Sequence, residues 1–420
     1  MEMSASSLAC VTLTILGVMA LLLRFVIGGS DRTKQGPAGT EQAARDAGCQ
    51  PGGEGDYDAK MRQLWGGPAP KFFQQCWEDW PKRFRPAGDR VRTALITGGT
   101  GGIGFYVAKL LARLGYEIIL PARTGFEDEA HGAVAAIKRD VPGAKVLVPA
   151  VALDLDSLQS VRDFAASVQD LAAGGLDLLC LNAGRGGSKG DAREVTADGL
   201  EAIMHVNALG HYLLVAELMP LLMAAPHARV VSQSSMARVC TAPGFNSNVR
   251  RSKVKDLNGT DASRFNAFHQ YALSKACNCF FTLGLNDRLA KAGIDSVVAI
   301  VADPGFASTG VNIQHNLGHS FLPLPNGWLS TKTMHSVGGA QHAADGALPM
   351  VLACVDPSAE RNDWYTPENE MGGRAVKRDP SAHKDAKTDP INIGSEWPKD
   401  SREVFWTQAE HCTGATWKCF

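Results

Sequence analysis

A glycine-rich segment between an apolar strand and a helix-like run constrains the fold of this chain most. Residues 91–97 (VRTALIT) read as a buried parallel strand, and residues 105–114 (FYVAKLLARL) read as a helix. The segment between them, residues 98–104, is GGTGGIG. Such a strand-to-helix turn lets backbone N–H groups approach a pyrophosphate at the helix N-terminus. A merely flexible loop is the alternative, and the position between strand and helix argues against it.

Short apolar strands and helices alternate from Val91 onward. Strands are predicted at residues 92–97, 116–122, 145–151, 177–182, 228–233 and 295–301. Helices are predicted at residues 103–114, 129–140, 157–170, 198–223 and 270–291. This alternation predicts an α/β fold, a Rossmann-type doubly wound parallel sheet with helices on both faces. Ligands bind such sheets at the C-terminal ends of the strands, where Thr97, Asn182, Ser235 and Pro304 all fall.

Tyr271 and Lys275 are four residues apart in the segment YALSK, within a predicted helix. This spacing places a phenol and an ammonium on one helix face, about one turn apart. A neighbouring cation stabilises the phenolate, so that the phenol can exchange a proton with a carbonyl or an alcohol. Taken alone, the pair also fits a surface helix with a lysine in solvent.

Together these segments resemble the short-chain dehydrogenase/reductase family over about residues 90–310. The family's TGxxxGxG motif is matched by Thr97, Gly98, Gly102 and Gly104. Its Asn-Ala-Gly motif is matched by Asn182-Ala183-Gly184, with Leu181 where a further asparagine is usual. The resemblance implies a catalytic tetrad of Asn207, Ser235, Tyr271 and Lys275, and Ser234 stays open as the alternative serine.

The resemblance also implies a role for each member of the tetrad. Ser235 would orient the substrate oxygen, and Tyr271 would exchange its proton as general acid or base. Lys275 would support Tyr271 and hold the nicotinamide ribose, while Asn207 would organise a water next to Lys275. A nicotinamide cofactor would carry the hydride.

The end of the second predicted strand indicates NADP(H) as the cofactor. Enzymes that use NAD place an acidic residue there for the ribose 2′-OH, whereas an arginine suits a 2′-phosphate. Residues 120–124 are LPART, with no acid, so that Arg123 favours NADP(H) over the alternative of a surface arginine. The full set of cofactor contacts that motif and resemblance imply is Gly98, Thr100, Gly102, Ile103, Gly104, Arg123, Asp154, Asn182, Gly184, Tyr271, Lys275 and Pro304.

Details within the family resemble its retinol-dehydrogenase-like branch. Residues 196–201 (TADGLE), 274–278 (SKACN) and 364–367 (WYTP) match elements of that branch, although Asp303 stands where histidine is frequent before Pro-Gly. The branch implies alcohol–carbonyl interconversion on a lipophilic small molecule, with a specificity loop after Pro304. Light-dependent protochlorophyllide reductases share much of the pattern, and a dinucleotide-binding pseudoenzyme is a further alternative.

The N-terminus is a separate element. Residues 8–23 form an uncharged apolar run, followed by Arg24, Arg32 and Lys34. Residues 1–28 are therefore expected to anchor the chain in a membrane, with the catalytic domain in the cytosol, as on the endoplasmic reticulum. A plastid or mitochondrial targeting segment is the alternative. Residues 29–60 read as a linker, and residues 91–420 as the catalytic domain with a C-terminal extension. The aromatic-rich residues 61–90 are expected to dock on that domain, with a membrane interface as the alternative.

Composition agrees with an enzyme of this kind. Hydrophobic residues make up 45% of the 420, enough for a sizeable core, and the net charge of −1 gives no basic field for nucleic acid. The ten cysteines are scattered without metal-ligand spacing, which predicts thiols in a reducing compartment and no metal site. A homodimer is an open expectation.

Overall fold

The computed structural model describes residues 69–86, 88, 90–186, 193–239, 256–260, 265–307, 340–378, 400–417 and 419–420. The expected anchor at residues 1–28 and the linker at 29–60 lie outside the described residues, as does most of the expected specificity loop. The boundaries drawn between these segments therefore stay predictions.

An eight-stranded sheet forms the centre of the described part and confirms the predicted doubly wound α/β fold. Its order is β3-β2-β1-β4-β5-β6-β7-β8, and every neighbouring pair is parallel except β7 with β8. The strands are β1 Thr93–Ile96, β2 Glu117–Ile119, β3 Val146–Leu147, β4 Leu178–Leu181, β5 Ala228–Gln233, β6 Val297–Ala302, β7 Trp364–Pro367 and β8 Ala375–Lys377.

Helices cover both faces of this sheet and enclose two apolar clusters. The helices are α1 Phe73–Arg83, α2 Gly102–Arg113, α3 Glu127–Asp140, α4 Leu158–Ser167, α5 Ala202–Ala224, α6 Ala267–Lys291, α7 Ala343–Val355 and α8 Ser401–Thr413. One cluster lies under α4, α5 and α6, and the other under α2, α3 and α7. The central strand β4 is buried at all four positions, as a parallel strand between two helical layers should be.

All six predicted strands and all five predicted helices are present, and several differ at their ends. Strand β2 ends at Ile119 rather than at residue 122, since Pro121 has no N–H for the sheet ladder. Strands β7 and β8 and helices α1 and α7 were not predicted. Helix α8 lies in the expected C-terminal extension.

Helix α1 lies in the aromatic-rich segment and packs against helices α2 and α7. The carboxylate of Asp345, on α7, accepts hydrogen bonds from the backbone N–H groups of Lys71 (2.7 Å), Phe72 (2.9 Å) and Phe73 (2.8 Å). The Phe73 ring also meets Tyr106 of α2 edge-on, with ring centroids 5.3 Å apart. A carboxylate from a distant helix thus caps the N-terminus of α1. Its negative charge there also interacts favourably with the positive end of the helix dipole.

Among the described residues, one helix, α5, is long and apolar enough to cross a membrane. Of its most apolar stretch, 78% is buried inside the protein, which makes it a core helix. Its Tyr212 hydroxyl accepts a hydrogen bond from Trp417 Nε1 at 2.8 Å, and Trp406 of α8 packs edge-on against the same ring. The C-terminal segment therefore packs against α5 at Tyr212.

Candidate active site

The glycine-rich turn between β1 and α2 has a geometry that only glycine permits at three positions. Gly98 and Gly102 have φ of +62° and +53°, the left-handed region that disfavours side chains. A Cβ on Gly104 would lie 2.2 Å from the carbonyl oxygen of Gly98 and 2.4 Å from Asn182 Nδ2. A Cβ on Gly102 would meet nothing within 4 Å, so that space is open beside the start of α2. This cradle fits the pyrophosphate of a dinucleotide.

Thr97 and Asn182 join the ends of β1 and β4 beneath that turn. Thr97 Oγ1 accepts hydrogen bonds from the backbone N–H groups of Asn182 and Ala183, both at 3.0 Å. Asn182 Nδ2 in turn donates to the carbonyl oxygens of Thr97 (2.9 Å) and Gly98 (3.2 Å). The Asn-Ala-Gly segment is therefore held against the glycine turn.

Lys275 lies on α6, and its side chain reaches the end of β5. Its Nζ is 5.7 Å from the centroid of the Tyr271 ring and donates to the carbonyl oxygen of Gln233 at 3.2 Å. Burial lowers the pKa of Lys275 from 10.5 to about 8, and the negative charge of Asp303 partly opposes this effect. A Cβ added at Gly184 would lie 3.3 Å from Lys275 Nζ, so the Asn-Ala-Gly segment reaches the lysine.

Asn207 lies in a π-helical segment, His205–Leu209, inside α5. Its Oδ1 accepts from the backbone N–H of Arg185 at 2.7 Å, and its Nδ2 donates to the Arg185 carbonyl (3.0 Å) and to Ser274 Oγ (2.9 Å). A Cβ on Gly184 would be 3.3 Å from Asn207 Oδ1 as well. Short π-helical insertions are frequent at functional sites because they re-aim a side chain.

His211 belongs to the same network and was not predicted from the sequence. Its Nδ1 donates to the carbonyl oxygen of Asn207 at 3.2 Å, which leaves Nε2 to accept from Thr97 Oγ1 at 2.9 Å. Burial lowers the pKa of His211 to about 3, so that the ring is neutral, as these two bonds require. Its spacing of four residues from Asn207 could have indicated a shared helix face.

The two candidate serines differ in their surroundings. Ser234 is buried, and its Oγ donates to the carbonyl oxygen of Lys275 at 3.0 Å. Ser235 is half-buried, and its Oγ accepts from the backbone N–H of Ala237 at 3.2 Å, which leaves the hydroxyl hydrogen for another partner. Ser235 is thus better placed than Ser234 to meet a substrate oxygen.

Arg238 and Asp303 form a buried ion pair next to Ser235. Arg238 Nη1 is 2.7 Å from Asp303 Oδ2 and donates to the Ser235 carbonyl oxygen at 2.9 Å. Asp303 Oδ1 accepts from the N–H of Gly305 at 2.9 Å, and the Arg238 guanidinium stacks 4.2 Å above the Trp364 ring. The pair therefore ties the serine loop to the turn at Pro304. The acidic residue in place of a histidine before Pro-Gly has a structural partner in this arginine.

The predicted contacts for the adenosine end lie apart from this cluster. Arg123 is exposed after β2, with its guanidinium 4.0 Å above the Phe126 ring. Asp154 accepts from the N–H of Thr124 at 3.2 Å and so fixes the loop that carries Arg123. Thr100 Oγ1 donates to Glu129 Oε1 of α3 at 3.2 Å.

Two further predicted contacts, Ile103 and Pro304, lie beside the start of α7. A Cβ on Gly346 of that helix would be 3.6 Å from Ile103 Cδ1 and 3.5 Å from the Pro304 carbonyl oxygen. The turn that opens α2 and the turn that follows β6 therefore meet on the same face of the sheet.

Comparison with known proteins gives the family. A family model described as short chain dehydrogenase matches residues 92–247. Polyprenol dehydrogenase of Mus musculus is 30% identical over 327 residues, which cover 77% of this chain and 84% of that protein. The chain belongs to the short-chain dehydrogenase/reductase family. Its resemblance to that family in sequence is thereby confirmed.

Other similarities place this short-chain dehydrogenase/reductase in the retinol-dehydrogenase-like branch. Retinol dehydrogenase 13 of Homo sapiens is 34% identical over 220 residues, covering 52% of this chain and 60% of that protein. The crystal structure of an uncharacterized protein from Mycobacterium paratuberculosis is similar with a TM-score of 0.56 and 25% identity. That match covers 80% of this chain and 98% of the other. The chain is accordingly an oxidoreductase of a family that uses nicotinamide dinucleotides.

Proposed function

We propose that this enzyme interconverts an alcohol and a carbonyl with NADP(H), and that its substrate is a long lipophilic alcohol of the polyprenol kind or the matching carbonyl compound. The observation that carries the proposal is similarity over 84% of the length of polyprenol dehydrogenase, well beyond the glycine motif. The presence of Asn207, Ser235, Tyr271 and Lys275 in one chain supports turnover and argues against a pseudoenzyme.

The proposed chemistry assigns one task to each side chain of the tetrad. The Ser235 hydroxyl donates a hydrogen bond to the substrate oxygen and orients it. Tyr271 gives its proton to that oxygen in reduction and takes it back in oxidation. Lys275 stabilises the phenolate and reaches the nicotinamide ribose, and Asn207 holds the backbone next to Lys275. When bound, the nicotinamide supplies or accepts the hydride.

Selectivity for NADP(H) is proposed on the residue at the end of β2. Arg123 follows this strand with no acidic side chain in residues 120–124, and the residue is exposed. An arginine there would bind a 2′-phosphate by charge-assisted hydrogen bonds, whereas an acid would repel it. Glycines 98, 102 and 104 with Asn182 and Gly184 would line the pyrophosphate and the nicotinamide half.

A membrane location is proposed from the apolar run at residues 8–23 and from the lipophilic substrate. The basic residues after the run favour a cytosolic catalytic domain, on the endoplasmic reticulum. Removal of residues 1–60 should release a domain that still binds NADPH, because the glycine motif starts at Thr97. Protease added to sealed microsomes should digest the catalytic domain of the full chain, and complete protection would favour an organelle lumen.

The decisive test is oxidation of a substrate panel by the full chain in detergent, in the dark. Polyprenols should be oxidised with higher kcat/KM than retinol, and retinol than short aliphatic alcohols. Turnover without light would also exclude the photoenzyme alternative. Tyr271→Phe should reduce kcat by about a thousandfold, within the range of general acid–base catalysis, while NADPH binding persists. Tyr116→Phe is the matched control, since Tyr116 is buried just before β2, at the opposite end of the strands from the glycine turn.

Failure can be read clearly from the same panel. No oxidation or reduction of any lipophilic substrate, in a preparation that binds NADPH, would refute the proposed activity. Equal losses of NADPH affinity and of rate in Tyr271→Phe would refute the role of its hydroxyl.

A further inference from the structure

Gln233, the last residue of β5, carries a buried side-chain amide without a hydrogen-bond partner. The residue is 4% exposed, and in the described part of the chain neither Oε1 nor Nε2 has a partner. A buried amide left unsatisfied is destabilising, so such a group in a native protein needs an explanation. A ligand that supplies both a donor and an acceptor is one.

The position of Gln233 relates this amide to the cleft. Its carbonyl oxygen accepts hydrogen bonds from Lys275 Nζ (3.2 Å) and from Asn278 Nδ2 (3.0 Å). In the sheet it pairs with Ala302, the residue before Asp303 and Pro304. Gln233 therefore ends its strand between the catalytic lysine and the turn at Pro304.

The face of the sheet to which the side chain points follows from its neighbour. Ser232 Oγ accepts a hydrogen bond from Thr282 Oγ1 of α6 at 3.0 Å, so Ser232 faces α6. Successive strand residues point to opposite faces, and Gln233 therefore points away from α6. Val231, two residues earlier, packs in the same apolar cluster as Ile103. The amide thus lies on the face that holds the glycine turn and the Pro304 turn.

We propose that Gln233 binds the carboxamide of the nicotinamide ring. A glutamine amide offers one acceptor oxygen and a two-hydrogen donor, and the carboxamide offers the same pair, so that two hydrogen bonds form side by side. The location, between Lys275 and the Pro304 turn, is the nicotinamide end of the proposed dinucleotide site, on which this inference rests. Binding there satisfies an amide that the ligand-free protein leaves unsatisfied and fixes the rotation of the ring.

The test compares three ligands on the wild type and on Gln233→Leu, which keeps the approximate volume without the polar atoms. NADP⁺ should bind the variant about tenfold more weakly, which corresponds to about 1.4 kcal/mol. In the 3-acetylpyridine analogue of NADP⁺, a methyl replaces the carboxamide nitrogen. Gln233→Leu should reduce the affinity for this analogue clearly less than the affinity for NADP⁺. The fragment 2′-phospho-ADP-ribose, which lacks the ring, should bind both proteins equally. Titration calorimetry on the full chain gives all three dissociation constants without turnover.

Stability of the ligand-free protein gives a second readout that a purely structural glutamine would not produce. Gln233→Leu should be at least as stable as the wild type to urea, because it removes an unsatisfied buried amide. Ser232→Ala is the matched control on the same strand. It should lower stability, since it removes one of the two hydrogen-bond partners of Thr282, and leave all three dissociation constants unchanged.

The outcomes separate this inference from the proposed function. If the wild type binds neither NADP⁺ nor NAD⁺, the dinucleotide site itself is refuted. If the wild type binds NADP⁺ and Gln233→Leu binds it equally well, only the role of Gln233 is refuted. Equal losses for NADP⁺ and its acetylpyridine analogue would likewise overturn the carboxamide contact. If Gln233→Leu unfolds, Gln233→Met, an unbranched side chain of the same length, replaces it in the series.

Discussion

Replacement of Lys275 by methionine should make the ligand-free protein more stable while it abolishes turnover. The lysine is 4% exposed, and its ammonium donates to the carbonyl oxygen of Gln233 at 3.2 Å. No carboxylate of the described residues forms an ion pair with it. A charge is therefore buried with incomplete compensation, which proteins tolerate where function needs it.

The magnitude follows from the lowered pKa of Lys275. A fall from 10.5 to about 8 corresponds to about 3 kcal/mol, at about 1.36 kcal/mol per pH unit. The hydrogen bond lost in Lys275→Met offsets about 1 kcal/mol of this gain in stability. Asn278 Nδ2 still donates to the Gln233 carbonyl oxygen in the variant. The variant should therefore be more stable by about 2 kcal/mol at pH 7, on the combined scale of these two effects.

The pH dependence has a definite sign. Below about pH 8 the ammonium is charged in both the folded and the unfolded state, and the full penalty is present. Between pH 8 and 10.5 the folded protein loses the proton first, so the unfolded state binds more protons and wild-type stability rises with pH. The advantage of Lys275→Met should shrink across this interval. Burial raises the pKa of Cys279 to about 11, above this interval, and the Lys275 charge that lowers this pKa in the wild type is absent from the variant.

Urea unfolding of the ligand-free full chain in a mild detergent, at pH 7 and at pH 10, measures the effect. Lys109→Met is the control, because Lys109 Nζ lies 2.6 Å from the Asp140 carboxylate. Loss of that ion pair should destabilise the protein at both pH values, because Lys109 is buried and the Asp140 carboxylate loses a partner. A Lys275→Met variant that is less stable than the wild type at pH 7, or a difference that does not change with pH, would refute the assignment of an uncompensated buried charge.

Three further substitutions have expected outcomes. Arg123→Ala should weaken NADPH binding by about tenfold to a hundredfold and NADH binding little, since only NADPH has a 2′-phosphate. Dissociation constants for the two cofactors that change equally would contradict NADP(H) selectivity. Asp303→Asn should destabilise the protein by about 3 kcal/mol, because it leaves the Arg238 guanidinium buried without its counter-charge, and a matching shift of the urea midpoint checks this. Asp345→Ala should increase amide hydrogen exchange at residues 71–84 far more than in the sheet, because α1 loses the carboxylate that caps its N-terminus. An equal increase in the helix and in the sheet would contradict the capping role.

The central sheet could be predicted because its signal is local. Strands β1, β4 and β6 are largely apolar runs bounded by polar or glycine residues, and each is buried between helices. Strand β8 is three half-buried residues at the sheet edge, which leaves no pattern to detect. Helix α7 is buried at nearly every position, so that it lacks the amphipathic period by which helices are recognised.

The motif residues of the site could also be read from the sequence, whereas their supports could not. Tyr271 and Lys275 share one helix, and their spacing alone brings them together. The partners of Arg238 and Asp345 lie 65 and more than 270 residues away along the chain, and no spacing rule connects them. Gln233 is adjacent to the serine motif, but its missing partner is visible only once the surrounding atoms are in place.

Gln233 and Lys275 each lower the stability of the ligand-free protein, and the two residues are in contact. Their proximity argues for a common cause. The lysine ammonium donates to the backbone carbonyl of the same residue whose side-chain amide lacks a partner. If the two costs were unrelated defects, each substitution would change stability without regard to ligand. If a dinucleotide compensates both, Lys275→Met and Gln233→Leu should each preserve or raise ligand-free stability and each reduce the stabilisation that NADP⁺ adds. The stabilisation by 2′-phospho-ADP-ribose should not change in Gln233→Leu, because that fragment does not reach the end of β5.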